Sequence, residues 1–128
     1  MDFDDYQGFE SAITEATKII YVESPSNPAL DIIDLERISK IAKSKGILFA
    51  VDNCFATPFL QRPLDFGADI SIHSATKYID GQGRTLGGVI LGSNAFIQKV
   101  KAFARHTGPA LSPFNAWTLS KSLETLSV

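Results

Sequence analysis

The chain has 128 residues, about one domain's length, and its 45% hydrophobic content can fill a core, which excludes a disordered tail. A formal charge of -2 and a pI near 5.6 argue against a general nucleic-acid binder, which carries a basic patch. Cys54 is the single cysteine, so no intrachain disulfide can form and nothing points to an oxidising compartment. The opening Met1-Asp2-Phe3-Asp4-Asp5 is acidic where a signal peptide is basic and then apolar. No apolar run approaches the roughly 20 residues a membrane span needs. The expectation is a soluble, cytoplasmic chain with no membrane and no nucleic-acid partner.

In chain order, Phe9 to Ala16 predicts a short helix with Phe9, Ala12, Ile13 and Ala16 on one face. Thr17 to Glu23 is a β-rich run, stopped by the prolines of Ser24-Pro25-Ser26-Asn27-Pro28. Asp34 is a candidate N-cap for a helix to about Lys45, with Leu35, Ile38, Ile41 and Ala42 on its apolar face and Gly46 as its stop. Ile47 to Asp52 predicts a second buried strand, and a loop with Pro58 and Pro63 follows. Asp69 to His73 alternates as a third strand does, and Leu86 to Gly92 predicts a fourth. Asn94 to His106 reads as helix, with Phe96, Ile97, Val100, Phe103 and Ala104 at helical spacing. Ser112-Pro113 opens a last helix through Trp117, Leu119 and Leu123. Apolar strands alternating with helices predict an α/β unit of three layers, its mostly parallel sheet covered on both faces.

Chemistry concentrates at the ends of these strands. Asp52 closes an otherwise apolar strand, and an uncompensated buried carboxylate costs several kcal/mol, so it calls for a donor or cationic partner. The plain alternative is a turn-forming Asp52-Asn53 pair. Ser74-Ala75-Thr76-Lys77 follows the third strand, where open α/β sheets place their ligands. In extended backbone the two hydroxyls point the same way and suit an anion such as phosphate; as turn residues they need no ligand. Lys77 alone reads as a solvated loop lysine, and Asn27 as a turn former. Asp52 and Lys77 follow strands expected to be neighbours, so they can face one crevice.

Rival motifs fail on their missing parts. Ser74-x-x-Lys77 fits the motif of penicillin-binding enzymes, but the companion strings Ser-Asp-Asn and Lys-Thr-Gly do not occur. Gly81-Gln82-Gly83 lacks the third glycine of a dinucleotide fingerprint, because position 86 is Leu86, and it leads into a strand rather than a helix. Cys54 and His73 lie in apolar surroundings, which suit a buried structural thiol better than a nucleophile. One cysteine and two histidines give no convincing metal cluster.

Asp69-Ile70, three residues, Ser74-Ala75-Thr76-Lys77-Tyr78-Ile79, one residue, and Gly81-Gln82-Gly83 together resemble the signature of the Cys/Met-metabolism family of pyridoxal-phosphate enzymes. The similarity extends to Glu23 to Pro28, Val51 to Pro58 and Leu111-Ser112-Pro113. It implies the fold-type I, aspartate-aminotransferase-like large domain, with residues 1–128 as a middle part of it. The N-terminal segment and C-terminal small domain of the family fall outside the chain, and little turnover is expected from this stretch by itself. The resemblance gives Lys77 the Schiff-base role and Asp52 the ring nitrogen. It gives Ser74 and Thr76 the phosphate, and Asn27 the phenolic oxygen. It also implies an amino-acid substrate and a homotetramer that shares active sites between subunits.

Asp80-Gly81-Gln82-Gly83-Arg84 and Ser112-Pro113-Phe114-Asn115-Ala116-Trp117 look most like the branch acting on O-succinylhomoserine. There sulfide replaces succinate at the γ-carbon to give homocysteine, a step of methionine biosynthesis. Cystathionine γ-synthase, O-acetylhomoserine sulfhydrylase and methionine γ-lyase share the same cofactor residues. The reading from another class is a non-catalytic α/β module.

Overall fold

A computed structural model describes residues 4–128; the acidic opening Met1 to Phe3 lies outside the described residues. Three parallel strands, β1 (Ile19–Glu23), β2 (Leu48–Asp52) and β3 (Ile70–Ser74), lie side by side, and β4 (Gly88–Gly92) joins β3 antiparallel. The register aligns Glu23 with Asp52 and Asp52 with Ile72, so the three parallel strands end along one edge. The sheet is therefore mostly parallel, as the alternation of apolar strands and helices predicts.

Helix α1 (Tyr6–Ala12) begins three residues before the predicted Phe9 and ends before the predicted Ala16. Asp5 is the reason: its carboxylate accepts from the Gly8 amide at 2.8 Å and starts the helix early. The chain is already extended at Ile13, and β1 begins two residues later than Thr17. Helix α2 (Leu35–Lys45) matches its signals closely. The Asp34 side chain accepts from the Arg37 amide at 3.0 Å, and Gly46 closes the helix with φ 66°, a left-handed conformation that suits a residue without Cβ.

Leu35, Ile38 and Ala42 of α2 meet Ile20, Val22, Phe49 and Val51 of β1 and β2 to form the main core, with Tyr6 and Phe9 at its margin. The loop after β2 carries a single turn of helix, α3 (Thr57–Leu60), and a 3-10 turn at Pro63–Phe66. Helices α4 (Asn94–Thr107) and α5 (Pro113–Leu123) start as Ser-capped helices: Ser93 accepts from the Phe96 amide, Ser112 from the Asn115 amide. Leu119 of α5 joins Ala75 and Ile79 in a second, smaller cluster. A Cβ at Gly87 would stand 2.8 Å from Leu119 Cδ1, so the chain entering β4 passes against α5 where a side chain would displace Leu119.

Cover of the sheet is less complete than the strand pattern predicts. On the face that carries Asp52, Ile19, Tyr21, Leu48 and Ile90 are exposed, and α4 buries none of its residues. On the opposite face an apolar groove of about 520 Å³ separates the Pro63–Phe66 turn from α5, lined by Leu64, His73, Val89, Leu91 and Leu119.

Candidate active site

The crevice forms where β2 and β3 release the chain. Beyond Asp52, the fully buried Asn53 donates from Nδ2 to the carbonyls of Thr57 (3.1 Å) and Gln61 (2.7 Å). Gln61 in turn donates from Nε2 to Asn53 Oδ1 at 2.7 Å and to the Ser24 carbonyl at 2.8 Å. The two amides satisfy one another and fasten the exits of β1 and β2 behind Asp52. Asp52-Asn53 is thus more than a turn pair: Asn53 holds the loop, and Asp52 is left facing outward, half-buried.

Both oxygens of Asp52 have one partner. Oδ2 accepts from the Tyr21 hydroxyl at 3.2 Å, and Oδ1 from the Cys54 amide at 3.1 Å. Burial, and then the Asp52 charge beside it, pushes the Tyr21 phenol up to about 12, so it remains a donor. The Cys54 thiol is pushed up by burial and by the adjacent Asp52 carboxylate, against the pull of the Ser74 amide and the Lys77 charge. It stays protonated, and its Sγ accepts from the Ser74 amide at 2.7 Å. His73 shares nothing with it. Strand alternation turns His73 to the groove side, where Nε2 meets Ser71 Oγ at 3.1 Å and burial pulls its pKa down. A Cys54–His73 nucleophile pair is absent.

Lys77 lies in a π-helical turn, Ala75–Ile79, rather than in an open loop. The Asp80 amide closes that turn on the Ala75 carbonyl at 2.9 Å, while Lys77 itself has φ -86° and ψ -120°, outside the helical region. Its exposed amine stands 5.5 Å from the centroid of the Phe55 ring, three residues past Asp52. Asp52, Cys54, Ser74 and Lys77 therefore gather at one point on the carboxyl edge of the sheet. Asn27 lies in the loop after the neighbouring β1, exposed, its amide donating to Glu23 Oε2 at 3.2 Å.

Ser74 and Thr76 do not share an extended backbone, because Ser74 is the last residue of β3 and the turn starts at Ala75. Thr76 Oγ1 is engaged twice with Gly87, accepting from its amide at 3.0 Å and donating to its carbonyl at 3.3 Å. Asp80 and Arg84, which bracket the Gly81-Gln82-Gly83 run, have a structural role. The buried Asp80 carboxylate accepts from the Arg84 amide at 2.6 Å and pairs with Arg84 Nε at 3.3 Å. Arg84 Nη2 reaches Ser122 Oγ of α5 at 2.6 Å. Burial alone would raise the Asp80 carboxyl; the amides of Arg84 and Thr85 and the guanidinium outweigh it and hold the group below its ordinary range. This clamp ties the turn bearing Lys77 to α5.

The pattern that defines the Cys/Met metabolism PLP-dependent enzymes matches residues 1–128. The chain belongs to that family. Among curated relatives, O-succinylhomoserine sulfhydrylase of Pseudomonas aeruginosa is 54% identical over 97% of this chain and 31% of its own length. L-Methionine gamma-lyase of Pseudomonas putida is 42% identical over 100% of the chain and 33% of its own. A solved cystathionine gamma-lyase from Lactobacillus plantarum, complexed with L-serine, superposes with a TM-score of 0.95 at 38% identity, over 99% of this chain and 34% of that one. The chain spans about a third of the length of these relatives. The family's cofactor is pyridoxal phosphate.

The donor set suits that cofactor. Each Asp52 oxygen has spent one acceptor site on the chain and keeps another for a ring N–H. Lys77 offers an exposed amine beside an aromatic wall. Among the described residues no helix is long and apolar enough to cross a membrane, and no group of His, Cys, Asp and Glu is arranged to hold a metal ion.

Proposed function

We propose that this chain is the central part of the cofactor-binding large domain of an O-succinylhomoserine sulfhydrylase, converting O-succinylhomoserine and sulfide to homocysteine and succinate. The observation that carries the reading is the meeting of Asp52 and Lys77 at the ends of adjacent parallel strands, around the thiol of Cys54. The 54% identity to the Pseudomonas aeruginosa sulfhydrylase supports the choice of substrate over the other activities found in the family. The enzyme works in the cytoplasm as a homo-oligomer, with the remaining substrate contacts supplied by the rest of the polypeptide and by neighbouring subunits.

When bound, pyridoxal phosphate supplies an electron sink for the charge left at the substrate's α-carbon. Lys77 Nζ would hold the cofactor covalently and, as a free amine, would be the base that takes the α-proton. Asp52 would hold its carboxylate against the ring N–H. Ser74 would offer its hydroxyl hydrogen to the phosphate, Thr76 would add a contact on turning its hydroxyl from the Gly87 carbonyl, and Asn27 would donate to the phenolic oxygen.

Borohydride reduction of the full-length protein with pyridoxal phosphate, followed by peptide mapping, tests the site. The adduct is expected on Lys77 alone; label spread over Lys43, Lys45 and Lys101 with no preference for Lys77 would overturn it. Rates with sulfide and either O-succinyl- or O-acetylhomoserine test the substrate, and equal rates would remove the succinyl assignment.

A further inference from the structure

We infer that Tyr21 is a positioning residue for Asp52, a donor that fixes the carboxylate in the pose a pyridinium nitrogen requires. The inference rests on the assignment of Asp52 to the ring nitrogen. Tyr21 stands in the middle of β1, its Cα paired with that of Ala50, and Glu23 pairs with Asp52. Side chains alternate along a strand, so Tyr21, Ala50 and Asp52 share one face, and the phenol lies diagonal to the carboxylate. Its hydroxyl crosses to Oδ2 at 3.2 Å while the Cys54 amide holds Oδ1 at 3.1 Å. Two donors, one from β1 and one from the turn after β2, leave the carboxylate one orientation. Neither Tyr21 nor its bond is needed by the main core, because the side chain is 55% exposed on the sheet face opposite α2.

The chemistry of the pair explains what the bond does. A lone carboxylate on a mobile side chain can rotate away from the ring, or draw the shared proton toward itself. A phenol donating to the same oxygen spreads the carboxylate's charge and weakens its hold on a further proton. The proton between Asp52 and the ring then stays on nitrogen. Because the phenol does not ionise in the working range of pH, the donor is present throughout it.

Tyr21→Phe in the full-length protein removes only the hydroxyl. The expected result is about a tenfold rise in the dissociation constant of pyridoxal phosphate, as for loss of one hydrogen bond to a charged group, with the unfolding midpoint of the apoprotein unchanged. With cofactor labelled by 15N at the ring nitrogen, the signal moves toward that of the unprotonated ring. In an Asp52→Asn background the same change has no further effect. If Asp52→Asn alone leaves cofactor affinity and the 15N signal intact, the assignment of Asp52 is wrong. If Asp52→Asn weakens binding but Tyr21→Phe does nothing, Asp52 stands and the inference about Tyr21 falls. An equal loss from Tyr21→Phe in both backgrounds also overturns it, since Tyr21 would then act by another route.

Discussion

Strands β2 and β4 are each five residues long and almost wholly apolar, yet the fold treats them differently. Phe49, Ala50 and Val51 are 0–1% exposed, whereas Val89, Ile90 and Leu91 remain 37–43% exposed. β2 lies between two parallel neighbours under α2, so both its ladders and one full face are satisfied within the chain. β4 has one ladder, to β3, and at the α5 side the small Ala75–Ile79–Leu119 cluster is supplemented by polar ties: Thr76 on Gly87, and the Asp80–Arg84–Ser122 clamp. One half of the molecule is held mainly by burial of side chains, and the other adds directed bonds to a small apolar contact. Lys77 belongs to the second half, on the turn that these directed bonds hold in place.

The contrast can be broken from either end. Phe49→Ala should do the greatest damage, about 3–5 kcal/mol, because it empties a fully buried site under α2; chemical unfolding measures it, and a loss under 1 kcal/mol would mean the core is not seated there. Acid should instead loosen the α5 half. Asp80 is depressed in the folded chain, so its contribution is complete above the unfolded carboxyl's pKa and is lost as pH falls through the folded value. Amides of α5 should then exchange faster while those of α2 stay protected, and Asp80→Asn should abolish that difference in pH response. Thr76→Val is the mildest probe, about 1 kcal/mol for a partly buried hydroxyl pair. Exchange of the Gly87 amide should report it, with no change at the α2 amides.

Much of this was legible in the residues. Asp34 and Gly46 bracket α2 as capping chemistry demands, and the three parallel strands each ended where an aspartate, a serine or a proline run stopped the apolar pattern. The lysine motif named its own neighbourhood, since strand order puts Ser74 to Lys77 at the carboxyl edge of the sheet. The remainder depends on contacts that no local pattern carries. Asp80 and Arg84 have no local signal for their pairing, because Ser122, 38 residues beyond Arg84, completes it. Tyr21 looks like an ordinary strand aromatic, and only the register with β2 shows that it reaches Asp52. The exposure of β4 was hidden for the reason that makes apolar runs informative: composition tells that a strand seeks cover without telling which part of the polypeptide provides it.

The close passage of Gly87 against Leu119 also constrains how this protein can vary. A methyl group added at position 87 would overlap a side chain 32 positions away, and shortening that side chain would remove the overlap. Substitutions at the two positions should therefore be tolerated in pairs and rejected singly. Gly87→Ala is expected to be deleterious alone and rescued by Leu119→Val, which makes these two residues a genetic handle on how tightly α5 is drawn against the lysine-bearing turn.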